Sequence, residues 1–137
     1  MAYARTIPVE FNHCDPAGIV FYPRYFEMVN SVVENFFLQD VGYPFARMMA
    51  ESAGVPTARI EANFRAPSRL GDRLDFTLDV TRVGGASVTF AIGAACEGQQ
   101  RFGLDLTLVW VTKGGKATQW PDVIRARLAA HLKGASP

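Results

Sequence analysis

The chain has 137 residues, of which 49% are hydrophobic, and it carries a formal net charge of +1. These values fit one folded domain, residues 1–137, and exclude a disordered chain. The nearly balanced charge gives no sign of a nucleic-acid or membrane surface, and no apolar run has the length of a membrane span. Residues 1–11 alternate in polarity and lack the apolar block of a signal peptide, so we expect a cytoplasmic protein.

The chain contains two cysteines, Cys14 and Cys96, and two histidines, His13 and His131. Two distant cysteines without a CxxC spacing predict reduced thiols and argue against a thiolate metal site. With so few histidines, a histidine-rich metal centre is not expected either. We therefore expect no metal ion and no organic cofactor.

The alternation of apolar and polar residues over 3–11 predicts a first strand. Its apolar face would carry Tyr3, Ile7, Val9 and Phe11. Pro8 lies within this run and has no N–H to donate to a neighbouring strand. The strand is therefore expected at a sheet edge or at a bulge.

A loop is predicted over 13–22, because Asp15-Pro16 and Ala17-Gly18 are turn-forming pairs. Pro23 then suits the first turn of a helix, where the missing N–H leaves no hydrogen bond unmade. Asp15 has two interpretations at this point. It caps a turn, as aspartate commonly does, or its carboxylate acts on a group held by the free N–H groups of the helix N-terminus.

A helix is predicted from Arg24 to about Gln39. Its apolar residues fall in an arc about half the circumference wide, which is typical of a helix that packs on a sheet. Asn30 lies at the edge of this arc, where a polar side chain needs a partner or a ligand. The arc comprises Tyr25, Phe26, Met28, Val29, Val32, Val33, Phe36 and Phe37.

A second, short helix is predicted over 45–52, with Phe45, Met48 and Met49 facing inward. Four strand-like runs follow, and the glycine pair at 84–85 indicates a hairpin between the second and third. Each run has one apolar face, which predicts an antiparallel sheet with helices on one side and an α+β fold. A last helix opens at 121–122. The expected inward residues of these elements are Ile60, Ala62, Phe64, Leu74, Phe76, Leu78, Val80, Val88, Phe90, Ile92, Ala94, Cys96, Phe102, Leu104, Leu106, Leu108, Trp110, Ile124, Leu128 and Leu132.

The segment Asp15-Pro16-Ala17-Gly18-Ile19-Val20-Phe21-Tyr22-Pro23-Arg24-Tyr25 resembles the signature of the hotdog-fold acyl-CoA thioesterases of the 4-hydroxybenzoyl-CoA thioesterase type. The family pattern Asp-x-x-Gly-x-Val-x-x-x-x-Tyr is met at every fixed position, and the order of elements fits along nearly the whole chain. The resemblance implies a curved antiparallel sheet wrapped around a long central helix. It also implies dimers with a continuous sheet, an active site between two subunits, and in many members a tetramer.

The resemblance assigns the catalytic carboxylate to Asp15, which either attacks the thioester or activates water; the sequence does not separate the two routes. It assigns the backbone N–H of Tyr22 to the thioester carbonyl, and Gly18 to a close approach of the loop to the substrate. A Cys14 nucleophile with a histidine base is a rival arrangement. His13 is a poor partner for it, because adjacent residues seldom face each other in an extended chain.

Further residues are assigned to substrate binding. Asn30 stands where many family members carry an acid that meets the phenol of a hydroxybenzoyl group, so the sequence departs from the family there. Coenzyme A phosphates need basic partners, and family members bind it near the glycine pair at 84–85. The expected substrate-binding residues are Asn30, Tyr25, Phe26, His13, Arg65, Arg69, Arg82 and Ser87.

Together these assignments predict an enzyme that hydrolyses an acyl-CoA to a free carboxylic acid and coenzyme A. Bulky side chains near the expected site, including Phe21, Phe37 and Phe45, favour benzoyl-type or short acyl groups. The alternatives are an acyl-carrier-protein thioesterase and a non-catalytic acyl-CoA-binding protein. A dehydratase of the same fold needs a histidine and acid arrangement that the sequence lacks.

Overall fold

The computed structural model describes residues 2–134, which form a five-stranded antiparallel sheet and three α-helices. The sheet has the strand order β1-β3-β4-β5-β2. Its strands are β1 (Tyr3–Pro8), β2 (Thr57–Phe64), β3 (Arg73–Val83), β4 (Ser87–Cys96) and β5 (Gln99–Val109), and β6 (Val111–Thr112) pairs separately with β7 (Lys116–Ala117). The helices are α1 (Pro23–Phe36), which continues as a π-helical turn (Phe37–Val41), α2 (Phe45–Ala50) and α3 (Asp122–Ala130).

Helix α1 is the central element, and both edges of the sheet reach it. Tyr3 of β1 lies 5.7 Å from Phe36 between ring centroids, and Phe64 of β2 lies 6.4 Å from Phe26. Five strands about 4.8 Å apart make a sheet about 19 Å wide, whereas a helix with its side chains is about 10 Å across. Both edges meet one helix only if the sheet curves around it. The predicted α+β hotdog fold is therefore confirmed.

The alternation in the three central strands is confirmed, because the predicted inward residues of β3, β4 and β5 are all buried. The prediction for β2 is wrong in one respect. Ile60 and Phe64 remain exposed, since β2 is an edge strand and α1 covers its apolar face only in part.

The first strand is shorter than predicted. It ends at Pro8, and Phe11 belongs to a 3₁₀ turn with 82% of its surface exposed. The turn forms because the backbone N–H of Glu10 donates to Nδ1 of His13, at 2.8 Å. The edge position inferred from Pro8 is confirmed, since β1 pairs with β3 alone.

The predicted helices are present, with one correction. In α2 the side chain of Met48 is buried, but Met49 is largely exposed because a helix of six residues presents one narrow face to the core. In α3, Ile124 and Leu128 are buried and Leu132 is packed partly against the core, as predicted. No helix within residues 2–134 is both long and apolar enough to cross a membrane.

Candidate active site

The segment before α1 folds into a tight turn closed by its own backbone. The N–H of Asp15 donates to the carbonyl of Ile19 at 3.0 Å, and the N–H of Gly18 donates to the carbonyl of Asp15 at 2.9 Å. Cys14 and Val20 pair across the base of this turn. Gly18 has φ +81°, a conformation that other residues rarely adopt, and open space surrounds its Cα. The turn therefore needs glycine for its backbone conformation.

The half-buried carboxylate of Asp15 uses one of its two oxygens within the turn. Oδ1 accepts a hydrogen bond from the N–H of Ala17 at 2.9 Å, which confirms the predicted turn cap. Oδ2 has no hydrogen-bond partner among residues 2–134. The cap thus fixes the direction of the carboxylate and leaves one oxygen available to a substrate or a water molecule.

The N-terminus of α1 leaves one backbone donor unused next to this turn. The N–H of Val20 donates to Ser68 at 2.8 Å and that of Phe21 to His13 at 2.9 Å, whereas Pro23 has no N–H. Between these positions, the N–H of Tyr22 has no acceptor within the described chain. The Tyr22 side chain is 59% exposed. Tyr22 therefore offers a substrate a backbone N–H that no residue of 2–134 uses, at the positive end of a helix.

The rival arrangement of Cys14 with His13 is absent. Nδ1 of His13 already accepts the N–H of Glu10, and Sγ of Cys14 lies 3.7 Å from the carbonyl oxygen of Glu10. Both side chains thus contact the same neighbouring residue instead of each other. Within residues 2–134 there is also no group of three histidine, cysteine or acidic residues that could hold a metal ion.

A polar network that no sequence pattern predicts connects the Asp15 turn to residues 66–72 and to β5. Ser68 is fully buried. Its backbone carbonyl accepts a hydrogen bond from the Val20 N–H, and its Oγ accepts one from the Tyr25 hydroxyl at 2.9 Å. Arg101 Nη1 donates to Asp72 Oδ2 at 2.7 Å and to Ser68 Oγ at 3.4 Å. The Arg69 N–H also donates to Asp72 Oδ2, at 2.9 Å. These residues, Ser68, Asp72, Arg101 and Tyr25, are called the anchor network below.

Both charges of the anchor network are stabilised by their partners. The hydrogen bonds from the Arg69 backbone and the Arg101 guanidinium hold the pKa of Asp72 below its ordinary value. The Asp72 carboxylate in turn raises the pKa of Arg101. The ion pair therefore stays charged at neutral pH and ties residues 66–72 to β5.

Two cavities lie along one groove between α1 and β2. The first, called the entrance cleft, has a volume of about 310 Å³ and is lined by Tyr22, Tyr25, Phe64 and Arg65, next to the Asp15 turn. The second, called the apolar cavity, has a volume of about 380 Å³. Its lining includes Phe26, Val29, Asn30, Val33, Phe45, Met48, Met49 and Ile60.

The family follows from a comparison of the whole chain with known families. Residues 9–128 match the model described as the thioesterase-like superfamily. The chain belongs to that superfamily. The turn at Asp15 and the first residues of α1 both lie within the matched region, so the resemblance inferred from the signature is confirmed.

Three proteins similar to this superfamily member provide context. A 4-hydroxybenzoyl-CoA thioesterase from Pseudomonas sp. (strain CBS-3) is 31% identical over 68 residues, which is 48% of each chain, so the match spans about half of that relative. A 1,4-dihydroxy-2-naphthoyl-CoA thioesterase from Synechocystis superimposes with a TM-score of 0.86 at 16% identity, over 94% of this chain and 96% of that one. A hypothetical protein from Staphylococcus aureus, solved in complex with CoA, superimposes with a TM-score of 0.91 at 14% identity, over 100% of this chain and 87% of that one. At these identities the structures show the fold.

The basic residues expected to bind coenzyme A occur in two separate places of this superfamily member. Arg65 lines the entrance cleft, and Arg69 is exposed on the segment that pairs with Ile19. Arg82 and Ser87 lie at the β3–β4 turn and line neither cavity of the groove. Of the four residues expected to bind coenzyme A, a single subunit therefore places two, Arg65 and Arg69, beside the Asp15 turn.

Proposed function

We propose that the protein is an acyl-CoA thioesterase, which converts an acyl-CoA and water to a carboxylic acid and coenzyme A. This proposal rests on two groups at the start of α1 that lack a partner within residues 2–134: one carboxylate oxygen of Asp15 and the backbone N–H of Tyr22. Thioester hydrolysis needs these two groups, one to attack or to activate water and one to stabilise the carbonyl oxygen. Membership of the thioesterase-like superfamily supports the same reaction.

In the proposed mechanism, the thioester carbonyl oxygen accepts a hydrogen bond from the Tyr22 N–H at the N-terminus of α1. Asp15 Oδ2 then acts by one of two routes. In the first it bonds to the carbonyl carbon, the C–S bond breaks, coenzyme A leaves as a thiolate, and water hydrolyses the mixed anhydride. In the second it takes a proton from water while the water attacks the same carbon. The tetrahedral intermediate then collapses, the C–S bond breaks, and coenzyme A leaves as a thiolate that takes up the proton. Both routes use a good leaving group, so neither requires a strong general acid.

The entrance cleft supports a compact aryl acyl group as the preferred substrate. Its walls carry the rings of Tyr22, Tyr25 and Phe64, which favour a flat ring by edge and face contacts. The names of two similar proteins, a 4-hydroxybenzoyl-CoA thioesterase and a 1,4-dihydroxy-2-naphthoyl-CoA thioesterase, also specify aryl acyl groups. Asn30 lies farther along the groove and carries no charge, so a phenol is not strongly selected there.

We propose Arg65 and Arg69 as the first basic contacts of coenzyme A, since they lie beside the Asp15 turn. Arg82 and Ser87 reach this site only if another subunit supplies them. The CoA complex of the Staphylococcus aureus protein supports coenzyme A binding by this fold.

Substrate choice is tested by measuring kcat/KM for benzoyl-CoA, hydroxybenzoyl-CoA, butyryl-CoA and palmitoyl-CoA. We expect the aryl substrates to exceed palmitoyl-CoA by at least about tenfold, which corresponds to about 1.4 kcal/mol of transition-state preference. A tenfold advantage of palmitoyl-CoA would refute the compact aryl site. A preference for butyryl-CoA would retain the mechanism and refute only the aromatic selection.

Two alternatives remain distinct from this proposal. An acyl-carrier-protein thioesterase would hydrolyse a carrier-bound benzoyl group much faster than benzoyl-CoA. A non-catalytic binding protein would bind benzoyl-CoA and release no free thiol. Benzoyl-CoA and the carrier-bound substrate are therefore compared at equal concentrations, with the free thiol measured in both reactions.

The exposed apolar residues of β2 predict self-association. Ile60 and Phe64 lie on β2, which pairs with no strand on its outer side within residues 2–134, and such an edge favours pairing with a second strand. We propose a dimer at least, and a tetramer as the more complete assembly. Light scattering at micromolar concentration should give two or four times the monomer mass of 15.0 kDa. A monomer that retains full activity would contradict a site shared between subunits.

A further inference from the structure

We infer that Phe26 and Phe64 form a partition between the entrance cleft and the apolar cavity, and that this pair sets the length of acyl group that the protein accepts. The inference rests on the proposed thioesterase function. It adds a specificity-determining residue, Phe64, which the signature does not include, and it assigns Phe26 a definite role.

The two cavities lie in line along the same pair of elements. At the start of α1, Tyr22 and Tyr25 line the entrance cleft, and Val29 and Val33, one to three turns farther along the helix, line the apolar cavity. On β2, Ile60 faces the apolar cavity and Phe64 faces the cleft. An acyl group whose carbonyl lies at the Tyr22 N–H would therefore extend along the groove toward the apolar cavity.

Phe26 and Phe64 meet at the boundary of the two cavities. Their ring centroids lie 6.4 Å apart at an interplanar angle of 87°, an edge-to-face contact across the groove. Phe64 also lies 6.0 Å from Tyr22 and 5.9 Å from Tyr25, so its ring is held against the wall of the cleft. Phe26 lines the apolar cavity, and Phe64 lines the cleft, so the pair occupies the path between them.

The space behind the partition suits an aliphatic chain. The apolar cavity is lined mainly by aliphatic and aromatic side chains, and Met48 and Met49 can adapt to an irregular ligand. Without the partition, the cleft and the cavity would form one continuous channel. Each methylene that then leaves water should raise kcat/KM by about fourfold. The partition therefore excludes medium-chain acyl groups and retains aryl and short ones.

The test compares Phe64→Ala and Phe26→Ala with the wild type and with Phe11→Ala, which removes an exposed ring that lines neither cavity. The measured quantity is the ratio of kcat/KM for octanoyl-CoA to kcat/KM for benzoyl-CoA. We expect this ratio to rise at least about tenfold in both partition variants and to stay within about twofold in Phe11→Ala. An unchanged ratio in folded, active partition variants would overturn the inference.

A binding experiment separates this inference from the proposed function. Octanoate and benzoate are titrated calorimetrically into the wild type and into Phe26→Ala, without any acyl-CoA. If Phe26→Ala binds octanoate at least about tenfold more tightly than the wild type does, the partition is supported even if no acyl-CoA is hydrolysed. Equal octanoate affinities of the two proteins contradict it.

Phe64→Leu and Phe26→Leu, which keep an apolar contact, replace the alanine variants if those do not fold. A smaller rise in the ratio of kcat/KM for octanoyl-CoA to that for benzoyl-CoA is then expected. If the leucine variants fold and show no rise, the inference is also overturned.

Discussion

Asp15→Asn is expected to lower kcat for benzoyl-CoA by about a hundredfold or more while leaving KM and the fold nearly unchanged. The amide oxygen of asparagine can still accept the N–H of Ala17, so the turn should persist. The amide cannot, however, attack the thioester or take a proton from water. Steady-state kinetics and the thermal unfolding midpoint, measured on the same preparation, check both parts of this expectation.

Asp75→Asn is the matched control for Asp15→Asn. Asp75 also accepts one protein hydrogen bond, from the hydroxyl of Thr6 at 2.7 Å, but it lies on β3 away from both cavities of the groove. We expect its kinetics to equal those of the wild type. If Asp15→Asn turned over benzoyl-CoA at a rate near that of the control, the catalytic role of Asp15 would be refuted.

Asp72→Asn is expected to lower the free energy of unfolding by about 2 kcal/mol at neutral pH, because a hydrogen-bonded charge pair is replaced by a weaker neutral contact. The side chains of Asp72 and Arg101 are only 28% and 12% exposed, so solvent screens the pair incompletely. Since residues 66–72 hold the Asp15 turn through Ser68, kcat should fall several-fold with little change in KM. Asp105→Asn, an exposed carboxylate on β5, is the control for both measurements.

The effect of Asp72→Asn on stability should depend on pH. The pKa of Asp72 is lowered in the folded state, so its charged form stabilises the fold above its ordinary pKa of about 4, and this contribution is lost as the pH falls through the lower folded value. The difference between wild type and variant should therefore be full at pH 7 and should shrink below about pH 4. Denaturant unfolding at pH 7 and pH 3 measures it. A difference that grew at acid pH would contradict the role of the ion pair.

The fold was predictable because most of its signals are local. The alternation of residues in β3 to β5 and the wide apolar arc of α1 each mark the buried face of a single element, and the folded structure packs these faces against one another. The predicted burial of Phe11 is wrong because a hydrogen bond between Glu10 and His13 turns the chain, and that of Met49 is wrong because α2 is too short to bury two adjacent residues. The predicted burial of Phe64 is wrong for a different reason, since the exposure of a side chain on an edge strand depends on what packs beyond that edge.

The candidate site was predictable only in part. The signature drew attention to Asp15, Gly18 and Tyr22, because these residues lie close together in the sequence. In the anchor network, Asp72 and Arg101 lie 29 positions apart in the sequence, and Tyr25 and Ser68 lie 43 positions apart. No rule of local spacing relates residues at such distances. The partition likewise depends on the approach of α1 and β2. Tertiary contacts of this kind become visible only in the folded chain.

The most direct test of the proposed mechanism is a stoichiometric assay of wild type and Asp15→Asn with benzoyl-CoA. Binding is measured by calorimetry, free thiol by a colorimetric reagent, and benzoate by chromatography. We expect one thiol and one benzoate per benzoyl-CoA consumed by the wild type, and tight binding with almost no products for Asp15→Asn. Binding of benzoyl-CoA by the wild type without release of either product would contradict it.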